Sequence, residues 1–289
     1  MSSMYKGAVR WGLSAPLLIF LVLIVVFPLA YGVLTSVQER TLLTPEVTFT
    51  GIDNYTDVLT DGEFWRTVWF TVIFTGVTVA VEVALGLGLA LLVSQRFYFK
   101  KFFVTVILLP IMVASSLMGL LWRLGLNDNM GLIPALFKLI GTEFHPFSST
   151  WVYPTLFTAE TLHWTPLVFL LCYAGLQSFS EEQREAARVD GAGYWRIFWS
   201  LVLPHLRPVI AIALFLRLID TAKSFDIIYV LTGGGPGNST NTVSLYIFRK
   251  AFVDGDFGVA SAASVVMLVL LLVLVPVVVR QTGVKKEVS

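Results

Sequence analysis

The stretch EEQREAARVDGAGYWRIFWSLVLPHLRP, Glu181 to Pro208, is a charged segment with helical character set between two long apolar ones. A surface made for water has been built into a chain that otherwise avoids it. Within the stretch, Ala186 and Ala187 leave a helix face flat enough for close approach, and Gly191 is placed to end or bend that helix. Pro204 and Pro208 predict the start of the next apolar helix, since proline is favoured in a first turn. An ordinary amphipathic connector would also be charged. It would not need Glu185, Ala186, Ala187, Gly191, Leu201, Leu203 and Pro204 at fixed spacings over about twenty residues.

The rest of the chain sets this segment in a membrane. Its 289 residues have a mean hydropathy of +0.79, 56% are hydrophobic and 13% charged, so lipid must solvate most of the surface. The uncharged runs Trp11 to Val37 and Phe257 to Val279 each exceed the roughly 20 residues needed to span hydrocarbon. Apolar runs and their interruptions predict six spans, at about 11–35, 67–93, 102–124, 151–178, 208–231 and 257–280. The N-terminal run is too long for a signal peptide and lacks a small-residue cleavage site, so it is expected to stay as the first anchor. Cys172 is the one cysteine and lies in an apolar run, which excludes a disulfide framework or a cysteine metal cluster. With the N-terminus inside, 12 of the 20 Lys and Arg face the cytoplasm and ten of the 19 Asp and Glu face outward. The excess of inner cations predicts cytoplasmic termini and a cytoplasmic Glu181–Pro204 loop.

The spacing in that loop, Glu185-Ala186-Ala187, then Gly191, then Leu201, Leu203 and Pro204, closely resembles the Glu-Ala-Ala loop of permease subunits of binding-protein-dependent ATP-binding-cassette importers. Leu201 stands where the family usually has Ile. Two further segments resemble the sugar permeases of that superfamily. One is FTGIDNY, Phe49 to Tyr55, weak by itself because Gly, Asp and Asn form turns anywhere. The other is LTGGGPGNSTNT, Leu231 to Thr242, where three glycines and a proline predict a tight external turn. No Lys-Ser or Lys-Thr pair follows those glycines and no strand precedes them, which excludes a nucleotide loop. Between Asn127 and Ser149 the mixture of Gly, Pro and apolar residues predicts a short amphipathic helix at the outer interface.

Six ionisable residues fall at membrane depth: Glu82, Glu160, Arg217, Asp220, Lys223 and Asp226, with His163 beside them. A central charge costs roughly 2.5–3.5 kcal/mol on insertion scales, so each requires a partner or water. Arg217, Asp220, Lys223 and Asp226 alternate in sign at three-residue spacing, the pattern of a self-neutralising ladder. On a helical wheel Arg217, Asp220, Thr221 and Ser224 share one face with Lys223 at its edge, and Asp226 points away unless the helix unwinds. Glu160, His163 and Trp164 form a second stripe, ahead of Pro166, which predicts a kink. Such a set suits a sugar, since carboxylates, Arg and His hydrogen-bond vicinal hydroxyls and Trp164 stacks on a pyranose. Arg217 and Lys223 also keep an anionic sugar open. Glu82, next to Gly86 and Gly88, is expected to pack against a neighbouring helix. No metal-binding or hydrolase motif occurs, and His145, His163 and His205 fall in different compartments.

The resemblance implies a single all-α permease domain over 1–289, six transmembrane helices in the type I importer fold, with a coupling loop at about 179–207 and an external glycine-rich loop at about 231–256. It implies that Glu185, Ala186, Ala187, Asp190, Gly191 and Pro204 form the coupling surface for an ATPase. It implies that Glu160, His163, Trp164, Arg217, Asp220, Thr221, Lys223, Ser224 and Asp226 line the substrate path, although Glu160 and Thr221 stand where maltose-type permeases would carry amides. The expected partners are a second permease, two ATPase subunits that hold ATP and Mg, an extracytoplasmic solute-binding protein and a sugar. No cofactor is expected on this chain, no enzyme activity and no nucleic acid, and the setting is a prokaryotic inner membrane. A proton- or ion-coupled secondary transporter, with Glu82, Glu160 and the ladder as a relay, is the rival reading; it has no use for a docking loop.

Overall fold

The computed structural model describes residues 14–42, 47–95 and 98–281, with side chains to Val273. The terminal residues, and with them the side chains of Lys6, Arg10, Arg96, Arg280, Lys285 and Lys286, lie outside the described residues. The rest is almost wholly helical: α1 (Ser14–Ser36), α2 (Asp53–Thr60), α3 (Gly62–Ser94), α4 (Lys100–Leu108), α5 (Ser115–Gly125), α6 (Leu132–Leu139), α7 (Val152–Gln177), α8 (Glu181–Val189), α9 (Tyr194–Ala222), α10 (Asp226–Leu231), α11 (Val243–Phe252) and α12 (Phe257–Gln281). A two-residue hairpin pairs β1 (Gln38–Glu39) with β2 (Thr48–Phe49). Among the described residues α1, α3 and α9 are long and apolar enough to cross a membrane. The most apolar window of α1 buries none of its residues, leaving that surface to lipid or another chain.

Two compact units are present. The first draws on residues 1–64 and 246–269. In it the Asn-Tyr segment has a structural task. The Asn54 amide donates to the carbonyls of Ser36 and Gln38, both at 2.9 Å, and the Tyr55 hydroxyl lies 2.6 Å from Ser36 Oγ. The Asn54 amide thus satisfies the Ser36 carbonyl left open where α1 ends and ties α2 to β1. Tyr246 donates to Asp61 Oδ2 at 2.7 Å while its ring meets Phe64 edge-on. Although burial pushes the Asp61 carboxyl upward, the hydrogen bonds from Tyr246 and the Glu63 amide, with the charge of Lys250, hold it below its usual range.

The second unit draws on residues 65–245 and 270–289 and contains the main apolar core, where Ala90, Val168, Phe169, Cys172, Leu206 and Ala213 are buried. Glycines bring its helices together. A Cβ on Gly86 of α3 would lie 2.8 Å from the Phe169 amide nitrogen and from Val168 Cβ of α7. A Cβ on Gly175 of α7 would lie 2.8 Å from Leu206 of α9. Small residues at these crossings let backbones approach to packing distance, as helices in lipid require.

Proline determines several departures from straight helices. In both α1 and α9 a five-residue π-type turn, Val22–Val26 and Phe198–Val202, ends two residues before a proline, Pro28 and Pro204. Proline offers no N–H to the carbonyl four residues back and crowds it, and a widened turn accommodates both defects. Pro204 does lie in the first turn of the α-helical stretch Leu203–Ala222, as expected, but that stretch continues α9 from Tyr194 without a break, and Pro208 lies inside it. The predicted span at 102–124 is not one rod: the helical segments Lys100–Met112 and Ser115–Gly125 meet at 98°, with the break just after Pro110. The predicted span at 208–231 ends at Ala222 and resumes as α10, and the external loop at 231–256 contains the helix α11. The expected short amphipathic helix is α6, and Pro166 lies inside α7 without ending it.

The Gly86 crossing gives a direct check. Gly86→Ala is expected to lower stability by about 1–3 kcal/mol through overpacking, whereas Gly88→Ala, with nothing near the added Cβ, should be neutral or slightly stabilising. Thermal unfolding of the detergent-solubilised protein, followed by size-exclusion chromatography, reads the difference; equal melting of both variants would refute the packing.

Candidate substrate path and coupling surface

Arg217, five residues before the end of α9, is entirely buried. Its guanidinium has five N–H donors in a fixed fork. Nε donates to Glu82 Oε2 at 2.7 Å and Nη2 to Glu82 Oε1 at 3.0 Å, a bidentate pair from α9 to α3. Nη2 also reaches Glu160 Oε1 of α7 at 3.2 Å and Thr221 Oγ1 at 2.8 Å, and Nη1 reaches Asp220 Oδ2 at 3.0 Å. Trp164 covers one face of the guanidinium, with Cζ 4.5 Å from the ring centroid. Lys223 adds a second cation, 3.4 Å from Asp220 Oδ1.

Local sequence explains the convergence. Thr71, Thr75, Thr78 and Glu82 recur at helical spacing on α3 and are all buried, and Gly86 one turn further on lets α7 come close. Glu160 and Trp164 lie one turn apart on α7, and Arg217, Asp220 and Thr221 share a face of α9. The ladder expected along α9 is therefore only half correct. Arg217 does hold Asp220 and Asp220 does hold Lys223, but the strongest contacts of Arg217 run to other helices, and Asp226 belongs to the separate helix α10 and is exposed. Glu82 meets a neighbouring helix as expected, but its partner there, Arg217, was not foreseen. The signal for the pairing was a carboxylate at membrane depth with no local cation, in a chain whose only cations at that depth are Arg217 and Lys223.

His163 sits at the other break. Its Nε2 lies 3.0 Å from the carbonyl of Val113, which the bend after Pro110 removes from helical bonding. Thr242 Oγ1 donates to the carbonyl of Ser224 at 3.2 Å where α9 stops, and Arg123 Nη1 donates to Val230 O at 3.0 Å in α10. The glycine-rich turn is closed by its own threonines: Thr240 Oγ1 donates to Gly235 O at 2.8 Å and lies 2.9 Å from Thr232 Oγ1. Gly233, Gly234, Gly237 and Asn238 all take positive φ there. Of the nine substrate-path candidates, Glu160, His163, Arg217 and Thr221 are buried and committed to these contacts, while Trp164, Asp220, Lys223, Ser224 and Asp226 retain accessible surface.

The segment expected to couple forms α8, none of whose nine residues is buried. Its end follows the Gly-terminated pattern closely. The Ala192 amide donates to Ala187 O at 2.9 Å and the Gly191 amide to Arg188 O at 3.0 Å, with Gly191 at φ +76. Glu185, Ala186, Asp190 and Gly191 are exposed, Ala187 is half-buried, and Pro204 lies on α9 outside this helix.

Comparison with known proteins agrees with this arrangement. Residues 82–281 match the family described as binding-protein-dependent transport system inner membrane component. The chain is 35% identical over 259 residues to the trehalose/maltose transport system permease protein of Thermococcus litoralis, covering 89% of this chain and 88% of that one. It is 36% identical over 265 residues to the sulfoquinovosyl glycerol transport system permease protein of Agrobacterium fabrum, covering 89% and 85%. Its fold matches a chain in the crystal structure of a bacterial ABC transporter involved in the import of the acidic polysaccharide alginate, with TM-score 0.85 and 21% identity over 98% of this chain and 99% of that one.

Removing Arg217 strands the buried carboxylates of Glu82 and Glu160, so Arg217→Ala is expected to cost about 3–5 kcal/mol. Arg217→Lys replaces the fork by a point charge and should fall between wild type and Arg217→Ala. Melting temperatures of the purified protein in that order support the network; an Arg217→Ala variant as stable as wild type would contradict it.

Proposed function

Because the chain belongs to the family of binding-protein-dependent transport system inner membrane components, we propose that it moves a carbohydrate or carbohydrate derivative inward as one half of an importer's membrane channel. It is a translocation subunit and not an enzyme. Its partners are a second permease, two ATPase subunits and a solute-binding protein. ATP and Mg are held by the ATPases in this reading, and this chain carries no cofactor. That division of labour displaces the secondary-transporter alternative, because the energy enters through nucleotide and not through a relay of Glu82 and Glu160.

The observation that carries the mechanism is the wholly unburied α8, a glycine-terminated helix that offers Glu185, Ala186, Asp190 and Gly191 to another chain. Ala187 backs that surface and Pro204 lies beyond it on α9. Closure of the ATPases pushes on α8, and α9 transmits the motion to the Arg217 network, opening the path first outward and then inward. We assign sugar contact to the accessible members of the two stripes, Trp164, Asp220, Lys223, Ser224 and Asp226. The buried members Glu160, His163, Arg217 and Thr221 hold them in position. Six spans, a single permease domain and cytoplasmic termini complete the reading; the bent pair α4 and α5 serves as one span and α9 with α10 as another.

Two measurements test it. In proteoliposomes containing the complete complex and its binding protein, Ser224→Ala and Trp164→Ala should each lower uptake several-fold with normal assembly, while Gly191→Asp should abolish uptake and leave ATP hydrolysis unresponsive to the binding protein. Wild-type uptake in all three would refute the assignments. In a Cys172→Ala background, a cysteine at Ser239 should react with an impermeant thiol reagent in intact cells and one at Gln183 only after lysis; external labelling at Gln183 would invert the topology.

A further inference from the structure

A cavity of about 700 Å³ opens where the ends of α3 and α7 meet the start of α4, the helix α8 and the first turns of α9. Its walls are of two kinds. Leu91, Leu176, Ile197 and Val202 are apolar, and Tyr173 and Phe179 add aromatic faces. Lys100, Arg184 and Arg188 bring three cations against the single carboxylate of Glu181.

Among the described residues Glu181 is the one acidic partner these three cations have. Arg184 holds Glu181 only at 3.7 Å, and that carboxylate is itself 61% exposed. Neither Lys100 nor Arg188 has an ion-pair partner among the described residues. Lys100 Nζ lies 5.3 Å from the centre of the Tyr173 ring, and Arg184 Cζ lies 5.7 Å from that of Phe179. The rings hold both cationic heads at the boundary between the apolar and the polar wall, at moderate cation–π strength.

We propose that this cavity binds an anionic phospholipid, with its phosphodiester among Lys100, Arg184 and Arg188 and its acyl chains against Leu91, Leu176, Ile197 and Val202. The inference rests on the orientation given above, which puts these helix ends at the cytoplasmic headgroup level, where basic pockets between helices collect anionic lipid. A phosphodiester supplies the charge and the acceptors that the unpaired Lys100 and Arg188 and the loosely paired Arg184 need. A free phosphate would satisfy the cations but leave the apolar wall wet, and a neutral sugar would do neither. The volume lies in the range of small-ligand sites. Since Arg184 and Arg188 belong to α8, a lipid seated here steadies the coupling helix from behind.

The test uses the complete complex in nanodiscs of phosphatidylcholine alone or mixed with phosphatidylglycerol, and counts retained lipid by native mass spectrometry after release into detergent. Wild type should retain phosphatidylglycerol in preference to phosphatidylcholine. Lys100→Gln, which leaves α8 untouched, should weaken retention about fivefold, and Lys100→Gln with Arg188→Gln about thirtyfold. Lys100→Arg with Arg188→Lys should restore it. Equal retention by wild type and the double Gln variant would overturn the proposal, as would complete displacement of the lipid by inorganic phosphate, which would make the site one for a free anion. Lipid is offered from both leaflets, so this result does not depend on sidedness, and labelling at Gln183 judges the orientation separately.

Discussion

A guanidinium cannot be left bare at membrane depth, and the second unit is organised around that constraint. Arg217 stays charged under all accessible conditions, so its donors must be met by protein. Glu82, Glu160, Asp220 and Thr221 meet them, and Trp164 covers the face. Each acceptor fixes a helix. The bidentate pair ties α9 to α3, the Glu160 contact ties α9 to α7, and Asp220 with Thr221 lock the turn from which the guanidinium projects. Such a network need not be more stable than a well-packed apolar one. What it adds is register: sliding α3 by a single residue would turn Glu82 off the face and strand a charge.

The same accounting applies to the backbone. In lipid a carbonyl released from a helix must find a donor within the protein. The bend between α4 and α5 releases Val113 O to His163, and the end of α9 releases Ser224 O to Thr242. Irregular backbone thus occurs where polar side chains are already gathered, on either side of the Arg217 network. A path for a hydroxyl-rich solute needs such places, because a regular helix has no spare backbone groups to offer it. The accessible residues Asp220, Lys223 and Ser224 lie at the point where α9 stops.

At the other end of α9, the glycine-terminated α8 leaves its polar face uncovered while Ala187 and Ala192 rest on the core. α9 runs unbroken from Tyr194, just after the Gly191 turn that ends α8, to Ala222 beyond Arg217. The π-type turn ahead of Pro204 keeps that helix continuous where an α-helical turn would clash.

The sequence by itself determined the membrane class, the helical content, and the polar helix before Gly191 with its glycine stop, because hydropathy and the αL requirement at Gly191 are local properties of the residues. It also marked Arg217, Asp220 and Thr221 as one face, since helical spacing is local too. It did not determine where that face points. The pairing of Glu82 with Arg217 joins residues 135 apart in the chain, and only the close crossing permitted by Gly86 brings α3 into position to support it. The bend after Pro110 and the stop at Ala222 were likewise decided by tertiary structure, because hydropathy averaged over a span does not register a break whose freed carbonyl is satisfied by a side chain from a distant part of the chain.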